Sequence, residues 1–319
     1  MSHPNYQKQA PSPTDDARPI IINVDDLGLS TAVNDSVLHL AELGRIGASS
    51  YMVGGTITDN DISHLKNFKV DIGLHLDLTG IFPSLLRGSL KSIIVASYLR
   101  RFNNMQVTDI IKQQLDGFED RFGQAPVFID GHQHIHQFPI IRHCLIKELT
   151  NRYSNEISKG ALSARVTTPL INDVKSWIIY ALGGYAWRHS CEHNHIKTNN
   201  KFGGVYGFDV DSQQLASLWE QWLQSAPRNA ELSSGPLTPK AKLPITPVNV
   251  SPTLIMCHPA VPENGHNGWE DEIKAAREIE YKWLISDEFG YSLHKYNVRL
   301  LRWSDITSAY LACNNLPNL

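Results

Sequence analysis

The sequence predicts an α/β fold in which parallel strands are covered by outer helices. Short runs that are apolar almost throughout recur along the chain, as strands buried on both faces require. Between them lie amphipathic stretches of helical period, so strand and helix alternate over nearly the whole length. That alternation gives a parallel sheet sandwiched by helices, either a barrel or an open doubly wound sheet. A third observation places function on this frame. Asp or His stands where four separate runs end, and the carboxyl ends of the strands form the active face of such folds.

Taken in order, residues 19–24 are a β-branched, apolar run ending in Asp25-Asp26. Ser30 then reads as the N-cap of a helix to about Leu43, with Gly44 as its stop. Residues 46–53 predict the next strand and 59–68 a short helix. Over 70–79, Leu74, Leu76 and Leu78 alternate with His75, Asp77 and Thr79, which gives a strand one apolar and one polar face. Residues 80–106 are expected to be an excursion over the site, with a helix near 91–102. Ile111, Leu115, Phe118 and Phe122 make one stripe of a helix over 108–122. The His-rich strand at 128–136 follows, then a helix over 138–153, a strand near 161–166 and a Trp- and Tyr-rich helical region around 172–188. Asp211 caps a helix whose Leu215, Leu218, Trp219, Trp222 and Leu223 form an apolar face. Residues 226–250, rich in Pro, Ser and Lys, predict a long surface loop. A buried run at 253–257 ends in His258, and a helix over 271–285 and a strand over 297–301 close the series.

The organisation expected is a tail at 1–18 and a single domain over 19–310. A net charge of −3 in 319 residues offers nothing to nucleic acid or an anionic surface. The first 18 residues carry no apolar core of a signal, and no run approaches the length of a membrane span. Cys144, Cys191, Cys257 and Cys313 form no CxxC pair, so reduced thiols in the cytoplasm are expected. The Trp- and Tyr-rich helices leave apolar surface that makes a homodimer one expectation.

The chemistry concentrates around Asp130-Gly-His-Gln-His-Ile-His136. In an extended backbone His132, His134 and His136 would point the same way. Asp26, His75 and His132, one from each of three strands, make the two-imidazole, one-carboxylate set that holds a divalent metal with a position open for water. Asp25 beside it is the candidate general base, and His258 opposite is the candidate general acid. That set suits hydrolysis of an amide or ester. His134 and His136 are expected to orient the ligands or touch substrate, and Asp130 to orient a histidine or close the strand. Asp77 is expected to line the site. His193 and His195, beside one Cys and no partner pair, predict a surface loop.

Asn23-Val-Asp-Asp-Leu-Gly-Leu-Ser30, Gly73-Leu-His-Leu-Asp-Leu-Thr79, Asp130-Gly-His-Gln-His-Ile-His-Gln-Phe-Pro139 and Met256-Cys-His-Pro259 together resemble the successive motifs of the YdjC-like carbohydrate deacetylases, the ChbG/HpnK group. Arg165, Phe202-Gly-Gly204 and the pair Arg277 and Glu280 are lesser echoes. Val24, Leu27 and Ala260 depart from the Ala, Phe and Gly usual there. The resemblance implies an irregular TIM-like (β/α) barrel and removal of N-acetyl groups from amino sugars, such as chitooligosaccharides or acetylated glycolipids. It implies metal ligands at Asp26, His75 and His132, a base at Asp25, an acid at His258, and one divalent ion, Mg2+ by the family's habit or Zn2+ by the donor set. His134, His136, Arg165 and Asp77 are the expected substrate contacts. A metallohydrolase of another amide or ester, and a sugar-binding barrel without catalysis, are the alternative readings.

Overall fold

The computed structural model describes residues 16–229, 251–263 and 271–307. The first strand, β1 (Arg18–Leu27), is buried along nearly its whole length, because its apolar side chains meet helices on one face and the barrel interior on the other. In chain order there follow α1 (Thr31–Glu42), β2 (Ala48–Tyr51), α2 (Asp59–Asn67), β3 (Asp71–Leu76), α3 (Leu90–Tyr98), α4 (Asn104–Phe122) and β4 (Phe128–Gly131). Next come α5 (Ile141–Arg152), α6 (Ser154–Ser158), β5 (Ser163–Ala164), α7 (Val174–Ile179), α8 (Tyr185–His193), β6 (Lys197–Thr198) and β7 (Lys201–Gly203). The last described elements are α9 (Ser212–Ser225), β8 (Thr253–Cys257), α10 (Lys274–Leu284), α11 (Asp287–Lys295) and β9 (Val298–Leu300).

The sheet runs β6-β5-β4-β3-β2-β1-β8-β7, with β9 added against β1, and every pairing described is parallel. Its two ends are consecutive strands. Asn199 between them accepts a hydrogen bond from the Val166 N–H and donates to the Val166 and Lys201 carbonyls. A parallel bridge between Pro169 and Phe202 links the segment after β5 to β7, so the sheet curls until its edges touch. This is the irregular (β/α) barrel expected.

Helix boundaries follow local chemistry. The Ser30 hydroxyl accepts from the Val33 N–H, and Asp211 and Gln214 form a reciprocal capping box at the start of α9. Gly123, with φ 68°, ends α4 in the left-handed conformation. α6, α11, β6 and β7 have no counterpart among the expected elements; the two strands are two and three residues long, too short to leave a periodic signal. Arg18, assigned to the tail, already pairs with Val298. Most of the expected loop, 230–250, and the domain's last residues, 308–310, lie outside the described residues, as do 1–15. Among the described residues no helix is long and apolar enough to cross a membrane.

The largest departure lies in the His-rich stretch. β4 stops at Gly131, and residues 132–137 form a tight 3-10 turn in which Gln133 (φ 52°) and His134 (φ 60°) are left-handed. The three histidines therefore do not share a direction. Gly131 makes room for the turn, since a Cβ there would stand 2.9 Å from Nδ1 of the His136 ring that folds back on it.

Candidate active site

A cavity of about 610 Å³ opens at the carboxyl ends of the strands, and Asp25, Asp26, His75, His132 and His258 all line it. In a regular strand Asp25 and Asp26 would face opposite sides. Here residues 24 to 27 of β1 span only residues 49 to 51 of β2, a bulge with Asp26 at φ 68°. The extra residue re-aims both carboxylates at one mouth, at the cost of backbone strain that persists because the site is packed around it.

Parallel register sets the next contact. His75 on β3 lies level with Asp130 on β4, and His75 Nδ1 stands 2.6 Å from Asp130 Oδ1. That leaves His75 Nε2 facing inward, 3.3 Å from Asp26 Oδ1. His132 Nδ1 approaches the same oxygen at 3.1 Å. The donor atoms of Asp26, His75 and His132 all lie within 4.8 Å of one another. His75 is fully buried, whereas the His132 side chain is 20% exposed, so the cluster has one open side.

Beneath this cluster two guanidinium groups hold the carboxylates. Arg165, itself fully buried, gives Nη1 to Asp25 Oδ2 at 2.7 Å and Nη2 to Asp25 Oδ1 at 2.5 Å, and contacts Asp130 Oδ2 at 2.5 Å. The Asn23 amide adds a bond to Asp25 Oδ1 at 2.7 Å. Arg277 on α10 gives Nη2 to Asp26 Oδ2 at 2.7 Å and Nε to Asp271 at 2.7 Å. Burial works against the Asp25 charge, but Arg165 outweighs it and holds the carboxyl well below its usual range. Asp26 is held down in the same way by Arg277 and then His132, against burial. Three floor carboxylates (Asp25, Asp26, Asp130) face two guanidinium groups, leaving one negative charge over. Burial disfavours a charged His75, yet Asp130, Asp26 and Asp25 around it push its pKa up to about 10. The cluster draws positive charge, and its donor set fits a divalent cation.

His258, at the end of β8, faces Asp25 from the far side, with Nε2 3.8 Å from Asp25 Oδ2. Its backbone N–H donates to Glu280 Oε2 at 2.5 Å, and the Tyr206 hydroxyl donates to Glu280 Oε1 at 2.6 Å. Arg277 and Glu280, three residues apart on α10, are buried together with Ala276 and Leu284; two charges at the helical spacing of the buried apolar side are the signal that marks them.

The structure separates the expected substrate contacts. His134 lines the cavity, with its ring edge-on to Phe202, and burial followed by Arg165 pushes its pKa down to about 3, so it is neutral. His136 is buried beneath the floor against Trp187 and the Arg165 carbonyl, because the left-handed turn carries it away from the mouth. Arg165 is likewise under the floor rather than in the cavity wall. Asp77 is consumed by the loop after β3, accepting from the backbone N–H groups of Thr79, Gly80 and Phe82, which accounts for its fixed orientation. His193 and His195 are exposed as expected, but His193 ends α8 and only His195 lies in the turn that follows.

Residues 19–295 match the family model of the YdjC-like proteins. The chain belongs to the YdjC-like family. Among curated proteins, this YdjC-like chain is 28% identical over 132 residues to a chitooligosaccharide deacetylase of Citrobacter koseri, covering 39% of this chain and 52% of that protein. It is 28% identical over 153 residues to a carbohydrate deacetylase of Halalkalibacterium halodurans, covering 44% of this chain and 63% of that one. The aligned part thus spans only about half the length of the curated relatives. A solved structure from Enterococcus faecalis V583, described in connection with cellobiose-phosphate cleavage, superposes with TM-score 0.61 at 15% identity over 91% of this chain and 99% of that one. That likeness establishes the barrel and nothing of the chemistry.

Proposed function

We propose that this YdjC-like chain is a metal-dependent carbohydrate deacetylase, an enzyme that hydrolyses the N-acetyl amide of an amino sugar. The observation that carries the reading is the meeting of a three-donor cluster with a carboxylate on one side and an imidazole on the other, around one open cavity. The partial likeness to two deacetylases supports the substrate class.

Asp26, His75 and His132 would hold the ion, zinc by the donor set or magnesium by the family resemblance. When bound, such an ion supplies Lewis acidity, polarising an amide carbonyl and making nearby water more acidic. Asp130 fixes the His75 tautomer so that Nε2 is the inward donor. Arg277 occupies Asp26 Oδ2 and leaves Oδ1 turned to the two imidazoles. Asp25 takes the proton from the attacking water. Its bidentate hold by Arg165 makes it a weak base and fixes the direction in which it faces the cavity. His258, its backbone anchored by Glu280, gives a proton to the leaving sugar nitrogen. His134, neutral and in the wall, offers hydrogen bonds to substrate.

Cys144, Cys191 and Cys257 are free and buried, which suits a reducing cytoplasm. The expected homodimer would use the exposed Trp177, Ile178 and Tyr185 of α7 and α8. The deciding experiment is acetate release from N-acetylglucosamine oligomers, expected to stop on chelation and return on adding the divalent ion. Protein carrying a full complement of metal that frees no acetate from any acetylated amino sugar would end this reading.

A further inference from the structure

Phe208 is a bulky aromatic residue in a left-handed backbone, with φ 63°. That conformation favours Gly or Asn and is a rare, costly one for Phe. The preceding residue is Gly207, so the loop has a residue suited to such a twist one position away. The loop is nevertheless pinned around Phe208. At its start Gly204 (φ 93°) passes so close to β8 that a Cβ would stand 2.1 Å from the Met256 carbonyl oxygen. Tyr206 is tied to Glu280 through its hydroxyl, and Asp211 closes the loop as the cap of α9. The twist turns the Phe208 ring into the wall of the cavity, half-buried, edge-on to His258 at 5.3 Å between ring centres and 4.7 Å from Tyr206.

Backbone strain of this kind survives where the side chain it presents is needed. The ring stands between His258 and the open cavity and is not among the residues of either core cluster. His258 is the group that meets the leaving nitrogen, so an apolar ring beside it lies where the sugar carrying that nitrogen must sit. A pyranose has a face of C–H groups, and among the described residues lining the cavity Phe208 is the one Phe, Tyr or Trp, a flat apolar ring of the kind that takes such a face.

We propose that Phe208 is a substrate-contacting, specificity-determining residue whose ring receives the apolar face of the sugar and so directs its nitrogen to His258 Nε2. The inference rests on the deacetylase reading for its substrate class, but it is tested by binding and stability rather than by turnover. The probe is the disaccharide of glucosamine, the deacetylated product, titrated calorimetrically into the parent, Phe208→Leu, Phe208→Ala and Phe208→Gly proteins as purified with their metal. Affinity is expected to fall at least tenfold in the Ala and Gly variants and by less in Leu, which keeps apolar bulk. The Gly variant should melt above the Ala variant, because Gly accepts the left-handed backbone without strain. Binding by Phe208→Ala within twofold of the parent, no binding of the disaccharide by the parent, or a Gly variant that melts below Ala would each overturn the proposal. A parent that binds the disaccharide with this Phe208 dependence yet frees no acetate would remove the deacetylase reading alone. A parent that frees acetate with binding indifferent to Phe208 would remove this inference alone.

Discussion

Asp25 and Arg165 show how little freedom single residues have at this site. Both Asp25 oxygens are bonded by one guanidinium that is itself fully buried, so neither partner can be removed quietly. Arg165→Met leaves two buried carboxylates, Asp25 and Asp130, short of their cation. Breaking a buried pair in this way costs about 3–5 kcal/mol, enough to unfold much of a typical domain's margin, and chemical denaturation should read that loss. Asp25→Asn is a gentler change, since the amide keeps one acceptor for Arg165 and the shape of the carboxylate. It is expected to lower acetate release by at least a hundredfold, the usual share of a general base, while the purified protein keeps its metal content. Metal lost together with activity would instead make Asp25 a ligand, since its carboxylate stands 4.0 Å from His75 Nε2, within reach of a shared ion.

At the scale of elements, β1 and β8 are the most legible of the strands that carry site residues, because buried parallel strands are written as unbroken apolar runs; β8 is expected at 253–257 and stands there in the structure. What escaped was written in backbone rather than in residue type. The bulge that brings Asp25 and Asp26 to one side and the left-handed pair Gln133 and His134 that sends His136 below the floor leave no periodic trace. Contacts between helices escaped for another reason: they depend on packing that one element's pattern cannot report. Glu119 on α4 shows this, accepting from Arg152 Nε at 3.1 Å and Nη2 at 2.6 Å on α5 and from the Tyr153 hydroxyl at 2.6 Å. Burial works to raise its pKa, but Arg152 and Tyr153 outweigh it and the net shift is downward. A carboxyl lowered on folding contributes stability that is fully present above its unfolded value and is lost as pH falls through its folded value. Glu119→Gln should therefore be less stable than the parent at neutral pH, with the gap closing as the solution is taken below the ordinary carboxylate range. Urea midpoints measured across that range check it, and a gap independent of pH would mean that the contact acts through packing alone.

Across the whole molecule, the site joins parts of the chain that only the barrel brings together: β1, β3, the turn after β4, the segment after β5, β8 and α10. Their charged groups lie mostly buried where these parts of the chain meet, so an ion bound there is linked to the folding of all of them. A ligand that binds only the folded state adds RT ln(1 + [L]/Kd), about 2.7 kcal/mol when present at a hundred times its Kd. Removing the divalent ion should thus lower the melting temperature of the entire domain as one transition, and adding it back should restore the transition in proportion to the logarithm of its concentration. His75→Ala, which removes an inward donor and leaves Asp130 without its partner imidazole, should abolish that dependence. The same variant must lose ion-dependent stabilisation even with no sugar present, which separates the ion's place in the fold from its part in the chemistry. A melting temperature indifferent to both chelation and His75→Ala would mean that Asp26, His75 and His132 meet as a hydrogen-bonded cluster in the floor and hold no ion.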